Sequence, residues 1–460
     1  MARMFGTDGV RGVANTGPLS PEVVLTIGRA AVRVLAPPTA TSKPYFVIGR
    51  DTRLSGPMLE AALTAGICSS GANVLSVGVL PTAGVAYLTR AMGAVAGVVI
   101  SASHNPYLDN GVKFFSSQGR KLEDHLEDEI EKLVHGTADG GRPTGEAVGE
   151  VLRCNGAGQR YIEFLKTTYH QEQPLSLRIG VDCANGAATY IAPALFAQLG
   201  AQVQVWHAHP DGLNINERCG ALHPEFLRQK VLDEKLDIGF AFDGDADRLI
   251  AIDHTGRILD GDSILVICSK VLFPPDVASR RVVVSTVMAN LGLERALQQM
   301  GVELHKTQVG DKYVVQAMQQ RGAVLGGEQS GHIVFLQYHT TGDGLLTAIQ
   351  LVNAVISQGT SLADLAQTFQ RFPQVLMNVK VINRVDPMAI PSIQEAVRHA
   401  ERVLGNDGRV LVRLSGTELI VRVMVEGPNE TLITPLAQRI AQTITQELAP
   451  SLRPMDSGRR

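Results

Sequence analysis

Cysteine is scarce and unpatterned in this chain. The five, Cys68, Cys154, Cys183, Cys219 and Cys268, are odd in number, scattered and free of any CxxC pair. That argues against a disulfide frame and against a zinc site, and predicts reduced, buried small residues. Long apolar runs are absent too: the longest, around Gly93 to Ile100, falls well short of the ~20 residues a membrane span requires. The opening Met1-Ala2-Arg3-Met4-Phe5-Gly6 carries no apolar signal core, so an unexported, cytoplasmic protein is expected. Nor is there an excess of one charge. The 42 Lys and Arg against 45 Asp and Glu give a net charge of -3, interspersed and without the basic stripe of a nucleic-acid binder. Any anionic substrate must be held by local clusters. The chain also lacks a Gly-Lys-Ser/Thr P-loop and a GxGxxG, which removes support for nucleotide-dependent kinases and dehydrogenases.

What is present is an alternation of strand and helix over a chain of 460 residues, enough for three or four domains. Strands are predicted at Tyr45 to Gly49, Asn73 to Val79 and Ala94 to Ile100, with helices at Pro57 to Ser69 and Thr82 to Met92, so a parallel sheet is expected. The helical stripe Leu122, Leu126, Ile130 and Leu133 has an acidic outer face that reads as solvated surface. The glycine-rich stretch Gly136 to Gly149 reads as a surface loop near a first boundary. A second unit follows, with strands at Arg178 to Asp182, Val203 to Trp206 and Leu236 to Phe242 and a helix at Ala187 to Leu199. A third has strands at Arg281 to Ser285 and Val302 to Lys306 and ends in the helix Gly344 to Ser357. After Arg371-Phe372-Pro373 the pattern turns to a smaller α+β domain with helices Pro391 to Leu404 and Leu432 to Leu448; Pro454 to Arg460 is expected to fray.

Four constellations carry chemistry. Ser101-Ala102-Ser103-His104-Asn105-Pro106 follows the apolar strand, at the carboxyl edge where open α/β sheets place ligands. Ser103 there is either a nucleophile or a turn residue bonding local backbone. Asp243-Gly244-Asp245-Ala246-Asp247-Arg248 follows a second apolar strand. Gly244 and Ala246 let the chain curl until three carboxylates converge on a hard cation such as Mg²⁺, a solvated acidic turn being the plain alternative. A calcium loop fits less well, since Arg248 and His254 stand where glycine and glutamate belong. Arg248 offsets the remaining negative charge and can receive a phosphate oxygen, and a phosphorylated Ser103 would supply a further oxygen ligand. In Gly326-Gly327-Glu328-Gln329-Ser330-Gly331-His332, Glu328 and Ser330 can meet neighbouring sugar hydroxyls, or the segment is a hairpin turn. In Arg413-Leu414-Ser415-Gly416-Thr417-Glu418 and Arg422, two arginines, two hydroxyls and a glycine make a phosphate clamp or a strand-turn-strand with surface arginines.

In this order, these four motifs resemble the α-D-phosphohexomutase family along essentially the whole chain. Phe5-Gly6-Thr7-Asp8-Gly9-Val10-Arg11-Gly12, Gly49-Arg50-Asp51-Thr52-Arg53 and Glu328-Gln329-Ser330-Gly331-His332 look most like its bacterial phosphoglucosamine mutase branch. The resemblance implies an α/β protein of four domains around a central cleft: three similar mixed-sheet domains over 1–155, 156–260 and 261–371, and a smaller C-terminal α+β domain over 372–460. It implies phosphate carried on Ser103, one Mg²⁺ on Asp243, Asp245, Asp247 and the phosphorylated Ser103, and sugar hydroxyls on Glu328 and Ser330. The distal phosphate falls to Arg413, Ser415, Gly416, Thr417 and Arg422. Arg11, His104, Lys113, Arg248 and His332 become electrostatic or acid/base helpers near the transferred group.

The implied reaction interconverts glucosamine 6-phosphate and glucosamine 1-phosphate through a sugar 1,6-bisphosphate, feeding UDP-N-acetylglucosamine synthesis. The partner is then a small hexosamine phosphate, with no nucleic acid and no membrane, and a homodimer is compatible with the chain. A phosphoglucomutase/phosphomannomutase is the nearest alternative, and a non-catalytic sugar-phosphate sensor the alternative of another class. Three positions depart from the branch: Leu414 where lysine is usual, Leu419 where proline is usual, and Lys312 where arginine is frequent.

Overall fold

Short runs of small and β-branched residues become fully buried strands. All five residues of Ala96–Ile100, Ile238–Phe242 and Val282–Thr286 are buried. Gly97 lets the helix Thr82–Met92 lie directly on its strand, since a Cβ there would meet Thr89 Oγ1 at 2.1 Å. The computed structural model describes residues 3–6, 8–36, 43–136, 142–274, 281–415 and 419–449. The chain divides into two compact units, Met1–Ala289 with Leu297–Thr368, and Asn290–Ala296 with Phe369–Arg460. No helix among the described residues is long and apolar enough to cross a membrane.

The first unit contains three mixed sheets built on one plan. In the first, the strands run in the order Val10–Val13, Asp109–Ser116, Ala96–Ile100, Tyr45–Arg50, Asn73–Val79, Val151–Arg153. The last four are parallel, while Asp109–Ser116 and Val10–Val13 pair antiparallel. The second sheet sets Gln202–Trp206, Arg178–Asp182 and Ile238–Phe242 parallel and adds Leu249–Asp253 antiparallel. The third sets Glu303–Thr307, Val282–Thr286 and Leu325–Gly327 parallel and adds Ile333–Phe335 antiparallel. Each sheet therefore has one place where a parallel strand hands over to an antiparallel one. The connections at those places are Ser101 to Leu108, Asp243 to Arg248, and Glu328 to His332.

This arrangement corrects three expectations. The first sheet is mixed, as the family resemblance implied, and not wholly parallel as the strand–helix alternation suggested, because Asp109–Ser116 continues from the serine loop as a strand and recruits Val10–Val13. The helix expected over Ala187 to Leu199 splits into a 3₁₀ turn, Ala187–Tyr190, and an α-helix, Ala192–Leu199, with Pro193 in its first turn. Proline has no N–H to continue the preceding turn and suits a helix start. The acidic helix is Asp124–His135, and one of its acids is not solvated: Glu127 is buried, 3.6 Å from Arg3 and 3.7 Å from Lys312, and burial pushes its carboxyl up to about 7. The glycine-rich segment after it lies partly outside the described residues, as do Pro454 to Arg460.

The second unit is an antiparallel sheet ordered Gln374–Lys380, Ile420–Glu426, Arg409–Leu414, packed on the helices Pro391–Leu404 and Glu430–Leu448. Val421, Val423 and Val425 alternate into a core with Ile393, Val397, Ile433 and Ile440. Leu414 packs against this core. Along a strand, successive side chains point to opposite faces, so a residue at 414 is turned away from the face of Arg413. The departure from lysine therefore does not remove a cation from beside that arginine.

Candidate active site

Ser103 is left-handed, with φ 50°, an unusual conformation for a residue with a side chain. Its backbone is held at both ends. Ser101 Oγ accepts from Ser103 N at 2.8 Å and donates to Asp51 Oδ2 at 2.6 Å. Asp51 also accepts from Arg53 Nε at 2.8 Å, and Arg53 Nη2 donates back to Ser103 O at 2.9 Å. The result is that Ser103 Oγ points at the second sheet and donates to Asp243 Oδ2 at 2.6 Å. Ser103 is only 1% exposed.

The aspartate loop curls as the small residues predicted. Ala246 is left-handed, with φ 57°, and the ligand oxygens of Asp243, Asp245 and Asp247 all lie within 4.8 Å of one another. The loop can approach Ser103 only because residue 244 is glycine: a Cβ there would meet Ser103 O at 2.6 Å. Asp245 Oδ1 and Asp247 Oδ1 are buried and accept no hydrogen bond. Orphaned carboxylate oxygens converging in this way fit a hard divalent cation with oxygen ligands. Burial, with the charges of Asp247 and Asp245, pushes the Asp243 carboxyl well up. For Asp245 burial works in the same direction, yet Lys113 and the hydroxyl of Thr82, which donates at 2.6 Å, outweigh it and hold the carboxyl below its usual range.

The cations around this trio are themselves buried. Lys113 Nζ, on the strand that leaves the serine loop, lies 3.1 Å from Asp245, 3.8 Å from Asp247 and 3.2 Å from Asp8. Asp8 also pairs with Arg11 and Lys121, and Lys121 lies 2.5 Å from Asp311. Asp311 Oδ2 is 3.6 Å from His332 Nε2. A chain of alternating charge thus runs from the aspartate loop to the hairpin of the third sheet. Arg248 lies 3.9 Å from Asp247; burial would lower it, but Asp247, Asp243 and Glu328 keep the guanidinium charged. His104 Nδ1 is 3.3 Å from Ser103 Oγ, and burial with Arg248 and Arg11 pulls the imidazole down to about 3, leaving it neutral.

Glu328 to His332 is indeed the tip of a hairpin, and the hairpin is fastened to the aspartate loop by Leu249 N donating to Gly331 O at 3.1 Å. Ser330 is exposed, Glu328 half-buried, and His332 buried with neither ring nitrogen hydrogen-bonded. In the second unit, Arg413 and Arg422 are direct cross-strand partners, and burial, with Arg422 beside it, lowers the Arg413 guanidinium. Ser415 N donates to Ile420 O at 2.8 Å, while Gly416 and Thr417 lie outside the described residues. The structure therefore brings together Ser103, His104, Lys113, Arg11, Arg248 and the three aspartates, with Glu328, Ser330 and His332 on a loop tied to them.

Four family models match the chain in succession: phosphoglucomutase/phosphomannomutase alpha/beta/alpha domains I, II and III over residues 2–140, 159–256 and 260–372, and the C-terminal domain over 376–443. The chain belongs to the phosphoglucomutase/phosphomannomutase family. As a member of that family it is an isomerase that moves a phosphoryl group. A phosphoglucosamine mutase of Brevibacillus brevis is 50% identical over 449 residues, 97% of this chain and 100% of the relative. One of Protochlamydia amoebophila is 47% identical over 452 residues, 98% of each chain. Among solved structures, a family protein of Burkholderia thailandensis superposes with a TM-score of 0.79 at 25% identity, covering 96% of this chain and 97% of that one. The N-acetylphosphoglucosamine mutase of Aspergillus fumigatus, solved with GlcNAc-6P and magnesium, shares the fold with a TM-score of 0.68 at 17% identity, over 96% and 95% of the two chains.

Several residues around this cluster escape the motif reading. Asp8, Lys121, Asp311 and Thr82 sit on four separate segments, and only folding joins Thr82 to Asp245 and links Asp8, Lys121 and Asp311 to it through Lys113. Asp8 lay within a motif already singled out, but nothing local marks Thr82. A second trio, Asp182, His207 and Cys219, also has ligand-type atoms within 4.8 Å. Here, however, the carboxylate already accepts from Ala184 N at 2.9 Å and Gly220 N at 3.1 Å and lies 2.9 Å from His207 Nδ1. It acts as a staple between loops. The cysteines Cys68, Cys183, Cys219 and Cys268 are free and buried, and Cys154 is free and half-buried.

Proposed function

We propose that the protein interconverts glucosamine 6-phosphate and glucosamine 1-phosphate, acting in the cytoplasm with a phosphorylated Ser103 as donor and a sugar 1,6-bisphosphate as intermediate. The observation that carries this reading is the left-handed Ser103 with its hydroxyl against Asp243, in a chain half identical over nearly its full length to phosphoglucosamine mutases. Domains of 1–155, 156–260, 261–371 and 372–460 would then carry the serine, the metal, the sugar hydroxyls and the distal phosphate in turn.

In the first half-reaction the bond between phosphorus and Ser103 Oγ breaks as a bond forms to the free sugar hydroxyl oxygen. The hydroxyl proton ends on the serine oxygen. Neutral His104, beside that oxygen, is the group placed to carry it. Arg248, Arg11 and Lys113 face the charge that accumulates on the transferred phosphoryl oxygens. Asp243, Asp245, Asp247 and the phosphorylated Ser103 would hold Mg²⁺, which when bound polarises the phosphorus and screens the incoming anion. The bisphosphate then reverses so that its other phosphate returns to the serine. Glu328 and Ser330 are suited to the 3- and 4-hydroxyls, which nearly interchange on reversal. Arg413, Ser415, Gly416, Thr417 and Arg422 hold whichever phosphate is distal.

Because the groups that read the sugar address positions 3 and 4, the 2-amino group is weakly selected, and some activity on glucose phosphates is expected. The test is a side-by-side measurement of kcat/KM with glucosamine 1-phosphate, glucose 1-phosphate and mannose 1-phosphate. The amino sugar should lead; equal or higher efficiency with either neutral sugar would transfer the assignment to a phosphoglucomutase/phosphomannomutase. Intact-mass analysis with peptide mapping should find one phosphate, on Ser103.

A further inference from the structure

A second group of strained residues sits behind the serine loop and takes no part in the chemistry described so far. Ala184, Asn185, His207, Asn216 and Arg218 are all left-handed, with φ between 48° and 60°. Such a concentration persists only where the surroundings over-determine the backbone, and it gathers at functional sites. The segments are bound to each other by the Asp182 staple and by Asn216 N donating to Ala184 O at 2.9 Å. Their reach into the serine loop is through one side chain: Asn216 Nδ2 donates to Ser103 O at 2.8 Å and to Asn105 O at 3.2 Å.

Those two carbonyls are also the targets of Arg53, whose Nη2 donates to Ser103 O at 2.9 Å and to Asn105 O at 2.8 Å. Arg53 is fully buried, and its Nη1 donates to Asp109 O at 3.0 Å and to Pro106 O. Each carbonyl that brackets the loop therefore receives one donor from its own domain and one from the domain that carries the aspartates. Neither donor touches Ser103 Oγ or a metal-ligand oxygen.

We propose that Asn216, acting with Arg53, is a positioning residue for phosphoryl transfer: it fixes the left-handed backbone of Ser103 from the neighbouring domain, so that the serine oxygen keeps its place against Asp243 in both half-reactions. This rests on the phosphomutase reading above. A displacement of about 1 Å at a reacting atom can cost on the order of a hundredfold in rate.

The test uses the full chain with Asn216→Gly, which keeps the left-handed backbone without a side chain to strain it, and Asn216→Asp, which keeps the shape but turns a donor into an acceptor against two carbonyls. Both should lower kcat by roughly ten- to a hundredfold while KM for the sugar phosphate stays within about twofold. An intact-mass time course of Ser103 phosphorylation by glucose 1,6-bisphosphate should slow by the same factor and still reach the wild-type end point. A normal rate in both variants would overturn the proposal. So would a low end point at the normal rate, which indicates loss of folded enzyme. If the wild-type protein itself took no phosphate from the bisphosphate, the underlying phosphomutase reading would fall instead.

Discussion

Ser103 Oγ and Asp243 Oδ2 are joined by a 2.6 Å hydrogen bond across a separation of 140 positions. The bond links two sheets at their equivalent connections, each between a buried parallel strand and its antiparallel neighbour. In the proposed mechanism this hydroxyl carries the phosphate, and Ser103→Ala removes it without leaving a large cavity. Turnover should fall by at least about a thousandfold, with an unchanged circular dichroism spectrum. Persistence of near-normal turnover would take this serine out of the mechanism.

The closeness of the two loops depends on residue 244. A methyl group there would stand 2.6 Å from Ser103 O, 2.8 Å from Ile215 Cδ1 and 2.9 Å from Asn216 Nδ2. Main chain on one side and a committed amide on the other leave little room to yield. Gly244→Ala should therefore separate the loops, costing about 1–3 kcal/mol of stability and most of the activity. Denaturant unfolding together with kcat tests this; an active variant of normal stability would show that the loops have slack.

Asp245 places one oxygen against Thr82 and Lys113 and leaves the other without a partner, buried. Asp245→Asn keeps the volume but replaces a hard anionic ligand with a neutral one. The Mg²⁺ concentration for half-maximal activity should rise by roughly tenfold or more, since even changes around a ligand cost about 10- to 100-fold in metal affinity. An unchanged titration would exclude Asp245 from the ligand set.

These residues differ in how visible they were in the sequence. The strands feeding the serine and aspartate loops were legible because their buried runs end in turn residues, and Pro391–Leu404 was legible because proline opens it, Gly405 closes it and its apolar positions keep helical spacing. The antiparallel strand Asp109–Ser116 was not, since Asp, Asn and Gly at its start read as a turn; Asn110 to Phe115 are buried only by the sheet and helices that fold over them. Asp8, Lys121 and Asp311 form their ion pairs only after distant segments meet, and single charges carry no local pattern. Asn216 is likewise an ordinary loop residue until its amide is seen on Ser103 O. The burial of Glu127 was missed for a related reason: its carboxylate is met by Arg3 and Lys312, which lie far apart in the sequence.

Asp343 carries a pH dependence that can be isolated from the chemistry. Its carboxylate caps the helix Gly344–Gln358 by accepting from Leu346 N at 3.0 Å, and it accepts from Tyr161 Oη at 2.7 Å. Complete burial pushes its pKa up to about 6, against the opposing pull of those hydrogen bonds. A carboxyl raised in the folded state binds its proton more tightly there than in the unfolded chain, so its stabilising contribution is complete below about 3.8 and is lost as the pH rises through about 6. The full effect is about 3 kcal/mol. The substitution Asp343→Asn supplies a neutral cap of the same shape, so the difference in Tm from wild type should shift in favour of the variant between about pH 4 and pH 7.5 and level off above that. Thermal unfolding of both proteins across this range, at fixed Mg²⁺, measures it; a difference independent of pH would mean that Asp343 is ionised at no cost in the folded protein.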